Sequence, residues 1–245
     1  MVSEKPWQPE AVLVLGASIL VTLALCFIPV SIFQALGSPP QFIGFLIGTV
    51  VVQSLVVVLV HFFLRYHGMR WTEFLGLRRG RLLSTLLFAI GVTILSTPIA
   101  LAANQLSAKL ITLVHHTPEQ QIVVKMLEQT QNPVRRAVFA LAAILMAPLV
   151  EESIFRGILY PMLKYRGYPR LAIWGTSVFF AAVHLNLLTF LPLFLFALVL
   201  IWIYERTDTL LAPITAHACF NTINFVLLLN QKHIEHWLAV LRERA

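Results

Sequence analysis

The 245-residue chain has a single aspartate, Asp208, and two cysteines, Cys26 and Cys219. One aspartate excludes a two-aspartate protease. Both cysteines lie in apolar segments, make no disulfide framework and read as small buried hydrophobes. The eight histidines contain no HExxH, so the helix-borne zinc motif is missing. No GxSxG or GxSG occurs, which leaves a serine nucleophile without a supporting motif. Charge is scarce. Charged residues make up 12% of the chain against 58% hydrophobic, and the mean hydropathy is +0.82. That balance excludes an ordinary soluble domain. Long apolar runs in place of short alternating strands speak against a β-barrel. The formal net charge of +7 comes from basic residues beside apolar runs. Such placement suits anionic lipid headgroups and not nucleic acid.

What remains is an all-α, polytopic transmembrane bundle of about seven spans, with six to eight as the range. The runs fall at about 11–33, 41–64, 82–104, 134–164, 170–188, 191–205 and 209–229, the sixth being short. No internal repeat or soluble segment divides them, so residues 1–245 read as one integral membrane domain. The first run is too long for a signal-peptide core and reads as a retained span. Arg65, Arg70, Arg78, Arg79 and Arg81 flank Trp71 and Phe74 in a loop that reads as interfacial and cytoplasmic. Lys164, Arg166, Arg170 and Arg206 fall on the same side if the N-terminus is cytoplasmic. The loop at Gly37–Pro40 has no basic residue and reads as outside, whereas Arg135, Arg136, Arg242 and Arg244 fall against the rule. Thr117-Pro118-Glu119 predicts the start of a short amphipathic helix running to about Thr130. Gly44 and Gly48 predict a close helix contact. The tail around His233, Glu235, His236 and Trp237 reads as an interfacial helix.

Against this background, polar groups inside apolar runs stand out. A charge at mid-bilayer costs roughly 2.5–3.5 kcal/mol on insertion scales, so such groups are paired, inward-facing and functional. Glu152 and Arg156 are one helical turn apart and can pair. Glu151 points about 100° away and is free to face a reacting group as a general base. Pro148 bends the helix just before the acids. Phe180 and His184 are one turn apart, and so are His217 and Asn221. The last two put an imidazole and a carboxamide on one face, where both can donate to a developing oxyanion. Asn186, two residues after His184, is a secondary candidate for holding water. His61, His67, His115 and His116 read as headgroup-level or exposed.

These residues spell EESIFR (151–156), FAAVH (180–184) and HACFN (217–221). The three motifs resemble, in order and spacing, the EExxxR, FxxxH and HxxxN signatures of the CPBP family (CAAX protease and bacteriocin-processing, also called Abi). The resemblance covers a core of about 134–229, and FLGLRR (74–79) resembles a loop common before that core. The flanking segments look like those of bacterial members. The resemblance implies an intramembrane endopeptidase of the cell membrane acting on a membrane-associated protein or peptide. Glu151 and His184 would activate water, and His217 and Asn221 would stabilise the oxyanion. Glu152, Arg156 and Phe180 would support them. No cofactor is favoured. Zinc held by Glu151, His184 and His217 is the alternative, disfavoured because asparagine is a good oxyanion donor and a poor zinc ligand. A non-proteolytic immunity or scaffold protein that binds a peptide is the alternative of a different class.

Overall fold

The computed structural model describes residues 5–35, 44, 46–77, 82–231, 233 and 237. The loop at 37–40, Arg78, Arg79, Arg81 and most of the C-terminal tail lie outside the described residues. Among the described residues there is no strand. The helices are α1 (Pro9–Ala35), α2 (Val52–Tyr66, preceded by the π-helical segment Leu46–Val51), α3 (Trp71–Phe74), α4 (Leu82–Leu113) and α5 (Ile122–Gln129). There follow α6 (Pro133–Tyr165), α7 (Pro169–Ala182), α8 (Leu187–Thr207) and α9 (Leu211–Leu229).

The packing is that of a membrane bundle. Helix α4 buries a stripe of small or hydroxylated residues, Ala89, Thr93, Thr97, Ala100, Ala103 and Ser107, against α8 and α9. It turns Leu83, Leu95 and Ile99 outward. Large apolar groups outside and small ones at the seam are expected where lipid is as apolar as leucine and close approach drives association. Six helical stretches are long and apolar enough to span: α1, α2, α4, α6, α8 and α9.

One end of the bundle gathers the basic residues. There Trp7 packs on Phe63 and His67 at the end of α2, and Lys5 donates to the carbonyl of Phe74 in α3. Lys164 at the end of α6 pairs with Glu205 at the end of α8 at 2.6 Å. The six candidate spans are joined by α7, which runs from this basic end but is not among the helices long enough to span. The expected fifth and sixth spans exchange character. Helix α7 has 14 residues, about 21 Å, because it stops at Ala182. Helix α8 has 21 residues and is a full span. Arg136 sits at the opposite end, donating to the Thr130 carbonyl and the Gln131 side chain. The amphipathic helix begins at Ile122 and not at Thr117, because residues 119–121 are extended against the α7–α8 turn. At Gly48 an added Cβ meets nothing within 4 Å, so no close helix contact is made there.

Candidate active site

Helix α6 carries the first motif between two π-helical segments, Leu141–Met146 and Phe155–Leu159. A proline follows each within two residues, Pro148 and Pro161. Proline has no N–H for a preceding carbonyl, and a wider turn redistributes the bonds. Two carbonyls freed this way are taken by distant side chains. In the π register Ala143 would meet the nitrogen of Pro148, and Asn221 Nδ2 donates to its oxygen at 2.7 Å instead. Gly157 precedes Pro161 by four residues, and Trp7 Nε1 donates to its oxygen at 2.9 Å. Irregular backbone at membrane depth is tolerated where protein groups re-satisfy it.

Glu152 and Arg156 pair at 2.9 Å and are almost completely buried. Arg156 also donates to the carbonyl of Ala197 at 3.0 Å, and its guanidinium carbon lies 4.6 Å from the Phe180 ring centre. The same Glu152 oxygen accepts from His217 Nδ1 at 2.8 Å. This second bond of Glu152 escapes sequence reasoning: helical spacing says which residues share a face, not which helix the face meets.

His217 is reached because α9 starts inside the bundle. Thr209 Oγ1 and the Leu210 N–H both donate to the carbonyl of Leu75, and Leu210 is fully buried. His184 arrives differently. It lies in the turn after α7, where Leu185 adopts a left-handed φ of 49°. Its Nδ1 donates to the Phe180 carbonyl at 2.7 Å, so the FxxxH spacing survives as a helix-end turn. Phe180 is fully buried between the two histidine rings, with centroids 5.1 and 5.9 Å away.

The two imidazoles thus have the same polarity. Each Nδ1 faces an acceptor and carries hydrogen, which leaves each Nε2 facing inward. Both Nε2 atoms lie 3.9 Å from Glu151 Oε2. That separation is too long for a direct hydrogen bond and is the span that one shared water or substrate atom bridges. The Glu151 and His184 side chains are 27% and 22% exposed, against 0% for Glu152 and 5% for His217. The reactive side chains are partly exposed, although Glu151 Oε2 itself is buried without a hydrogen-bond partner, and the supporting side is sealed. Glu151, His184 and His217 are therefore brought together, with Glu152, Arg156 and Phe180 behind them. Asn221 stands one turn beyond His217, with one N–H committed to Ala143. Asn186, expected near water, instead caps α8, its Oδ1 accepting from the Thr189 N–H at 3.0 Å.

Nδ1 held by an acceptor with Nε2 pointing inward is also how metal-bound histidines are oriented. Among the described residues, however, no group of three or more His, Cys, Asp or Glu side chains is arranged to hold a metal ion.

Residues 133–223 match the profile of the type II CAAX prenyl endopeptidase, Rce1-like, family. The UPF0177 protein YaiF of Lactococcus lactis subsp. lactis (strain IL1403) is 37% identical over 89 residues, which are 35% of this chain and 38% of that protein. The chain thus spans well under half the length of this relative. No solved structure matches. Residues 133–223, where the three signatures lie, are thus similar to CAAX-type intramembrane proteases, which is consistent with a membrane protein of the CPBP family.

Proposed function

We propose that the chain is an endopeptidase that hydrolyses a peptide bond in a membrane-associated protein or peptide with water activated by Glu151. The observation that carries this reading is the approach of two inward Nε2 atoms to one Glu151 oxygen at 3.9 Å. A water there gives one proton to Glu151, while the lone pair on His184 Nε2 accepts its other hydrogen and orients it. The water oxygen attacks the scissile carbonyl. His217 stabilises the oxyanion as its imidazolium, donating from Nε2 while the Glu152 carboxylate holds Nδ1–H. The uncommitted N–H of Asn221 is the second donor. Collapse breaks the C–N bond, and the amine leaves with the proton stored on Glu151. Phe180 packs between both rings, and Arg156 holds Glu152 in place.

This mechanism uses no metal. The basic end faces the cytoplasm of a bacterial cell membrane, with the N-terminus on that side. The partners are the bilayer and a membrane-associated protein or peptide, without nucleic acid.

The test uses purified protein in nanodiscs, incubated with detergent-solubilised membranes from cells that lack it. New N-termini read by mass spectrometry are expected with wild type, with and without a strong chelator, and not with Glu151→Gln. Cleavage lost on chelation and restored by stoichiometric zinc would overturn the metal-free mechanism. A Glu151→Gln protein that still cleaves would overturn the role of Glu151. An identical set of termini with all proteins favours the peptide-binding immunity or scaffold reading.

A further inference from the structure

Asn186 makes more bonds than a helix cap requires. Its Oδ1 accepts from the Thr189 N–H at 3.0 Å and lies 3.2 Å from Thr189 Oγ1. Its Nδ2 donates to the backbone carbonyl of Glu119, 67 positions earlier, at 2.9 Å. Two residues on, Gln121 Nε2 donates to Thr189 Oγ1 at 3.2 Å. The extended stretch 119–121 is thus tied to the α7–α8 turn through both the cap and the first turn of α8. From there the chain runs into α5, where Leu127 is buried with Phe139, Phe225 and Leu228. Phe139 lies one turn before Ala143, and Phe225 one turn after Asn221. The segment 119–129 therefore passes from the His184 side of the site to its Asn221 side.

The turn it is tied to is the least regular support in the site. His184 stands outside α7, followed by Leu185 in the left-handed region, a conformation unfavourable for leucine. Leu185 is 92% exposed, so its own packing does not hold that conformation. Besides the turn's own bond from the Leu185 N–H to the Ala182 carbonyl at 3.0 Å, the tie to a distant segment comes from Asn186 at the next position.

We propose that Asn186 is a positioning residue: by joining the α8 cap to residues 119–121 it holds the 183–186 turn that aims His184 Nε2 at Glu151. The role of His184 rests on the proposed function; the positioning does not. A misplacement of a catalytic group by about 1 Å can cost on the order of 100-fold in rate, so a tether beside an irregular turn has a direct route to the chemistry.

The substitution Asn186→Asp separates the two jobs. An aspartate oxygen still accepts from Thr189 N–H and keeps the cap, but it cannot donate to the Glu119 carbonyl. Gln121→Ala loosens the same stretch without touching the turn. Protein in nanodiscs, labelled with ¹⁵N-histidine, gives a His184 ring signal identified by its loss in His184→Gln. The expected wild-type signal is a single Nδ1-protonated tautomer. Asn186→Asp is expected to mix or broaden it and to speed amide exchange at 183–187 about tenfold, with α9 unchanged. Gln121→Ala is expected to leave both at wild type. An unchanged ring signal and exchange at 183–187 in Asn186→Asp overturn the proposal, even if residues 117–122 loosen. Both readouts are independent of cleavage, so a failure of the endopeptidase reading leaves this result standing. Where cleavage is found, Asn186→Asp should lower the yield of Glu151-dependent termini at least tenfold.

Discussion

Glu152 is one carboxylate serving two donors, Arg156 in its own helix and His217 in another. Removing one partner of a buried pair leaves an uncompensated charge and costs about 3–5 kcal/mol. Arg156→Met is therefore expected to lower the thermal midpoint sharply in detergent, and the double variant Arg156→Met/Glu152→Gln to recover part of the loss, both read by a thermal unfolding assay. Glu152→Gln alone keeps the shape but replaces the carboxylate at His217 Nδ1 with an amide. It is expected to lower the thermal midpoint too, because buried Arg156 loses its counter-charge, and the folded protein to lose most of its cleavage, as measured by product termini. Much of this was legible from residues alone: the turn-spaced Glu152 and Arg156, the diverging Glu151, and the rarity of each in an apolar run. The bond from Glu152 to His217 was not, because contacts between helices depend on where α9 begins. Asn186 was readable as a cap from its place before an apolar helix, but its tether to Glu119, 67 residues away, had no local signal.

At the scale of elements, glycine and proline do the placing. An added Cβ on Gly157 would lie 2.4 Å from Phe74 Cζ and 2.9 Å from its Cε2. Phe74 is fully buried, so its ring has no free side to turn to. Gly157→Ala is expected to destabilise by about 1–3 kcal/mol through overpacking, and the added substitution Phe74→Leu to restore part of it. Thermal midpoints of the single and double variants check this. The helix order and most span limits followed from apolar run length, which is set by bilayer thickness. The early end of α7 did not, because residues 183–186, Val-His-Leu-Asn, hold no glycine or proline to mark a break, and the turn there is tied to a distant segment through Asn186. Close packing was expected at Gly44 and Gly48, yet a tight approach between helices lies at Gly157, inside a motif where chemistry drew the attention.

For the whole molecule, the basic end is closed by residues from four parts of the chain: the N-terminal stretch, α3, the middle of α6 and the α8–α9 turn. Lys5 is buried there, its ammonium 4.2 Å from the Phe74 ring centre. Burial lowers its pKa from the ordinary 10.5 to about 7, with the charge of Asp208 acting in the opposite sense. Between those two values the folded protein binds fewer protons at Lys5 than the unfolded chain. Its contribution to stability therefore rises as pH rises from about 7 to 10.5 and is lost as pH falls back toward 7. Lys5→Met removes the titrating group and is expected to flatten this dependence, seen as a thermal midpoint that changes less between pH 7 and 9 than in wild type. An unchanged slope would mean that Lys5 is not buried in the folded protein.

The claim on which the functional reading depends is that one carboxylate, Glu151, makes the reacting nucleophile. The direct measurement is a comparison of protein N-termini in membranes and medium from cells expressing wild type or Glu151→Gln at equal levels, both folded. Termini present only with wild type are predicted, and they would name the substrates. The same termini from both proteins would contradict it.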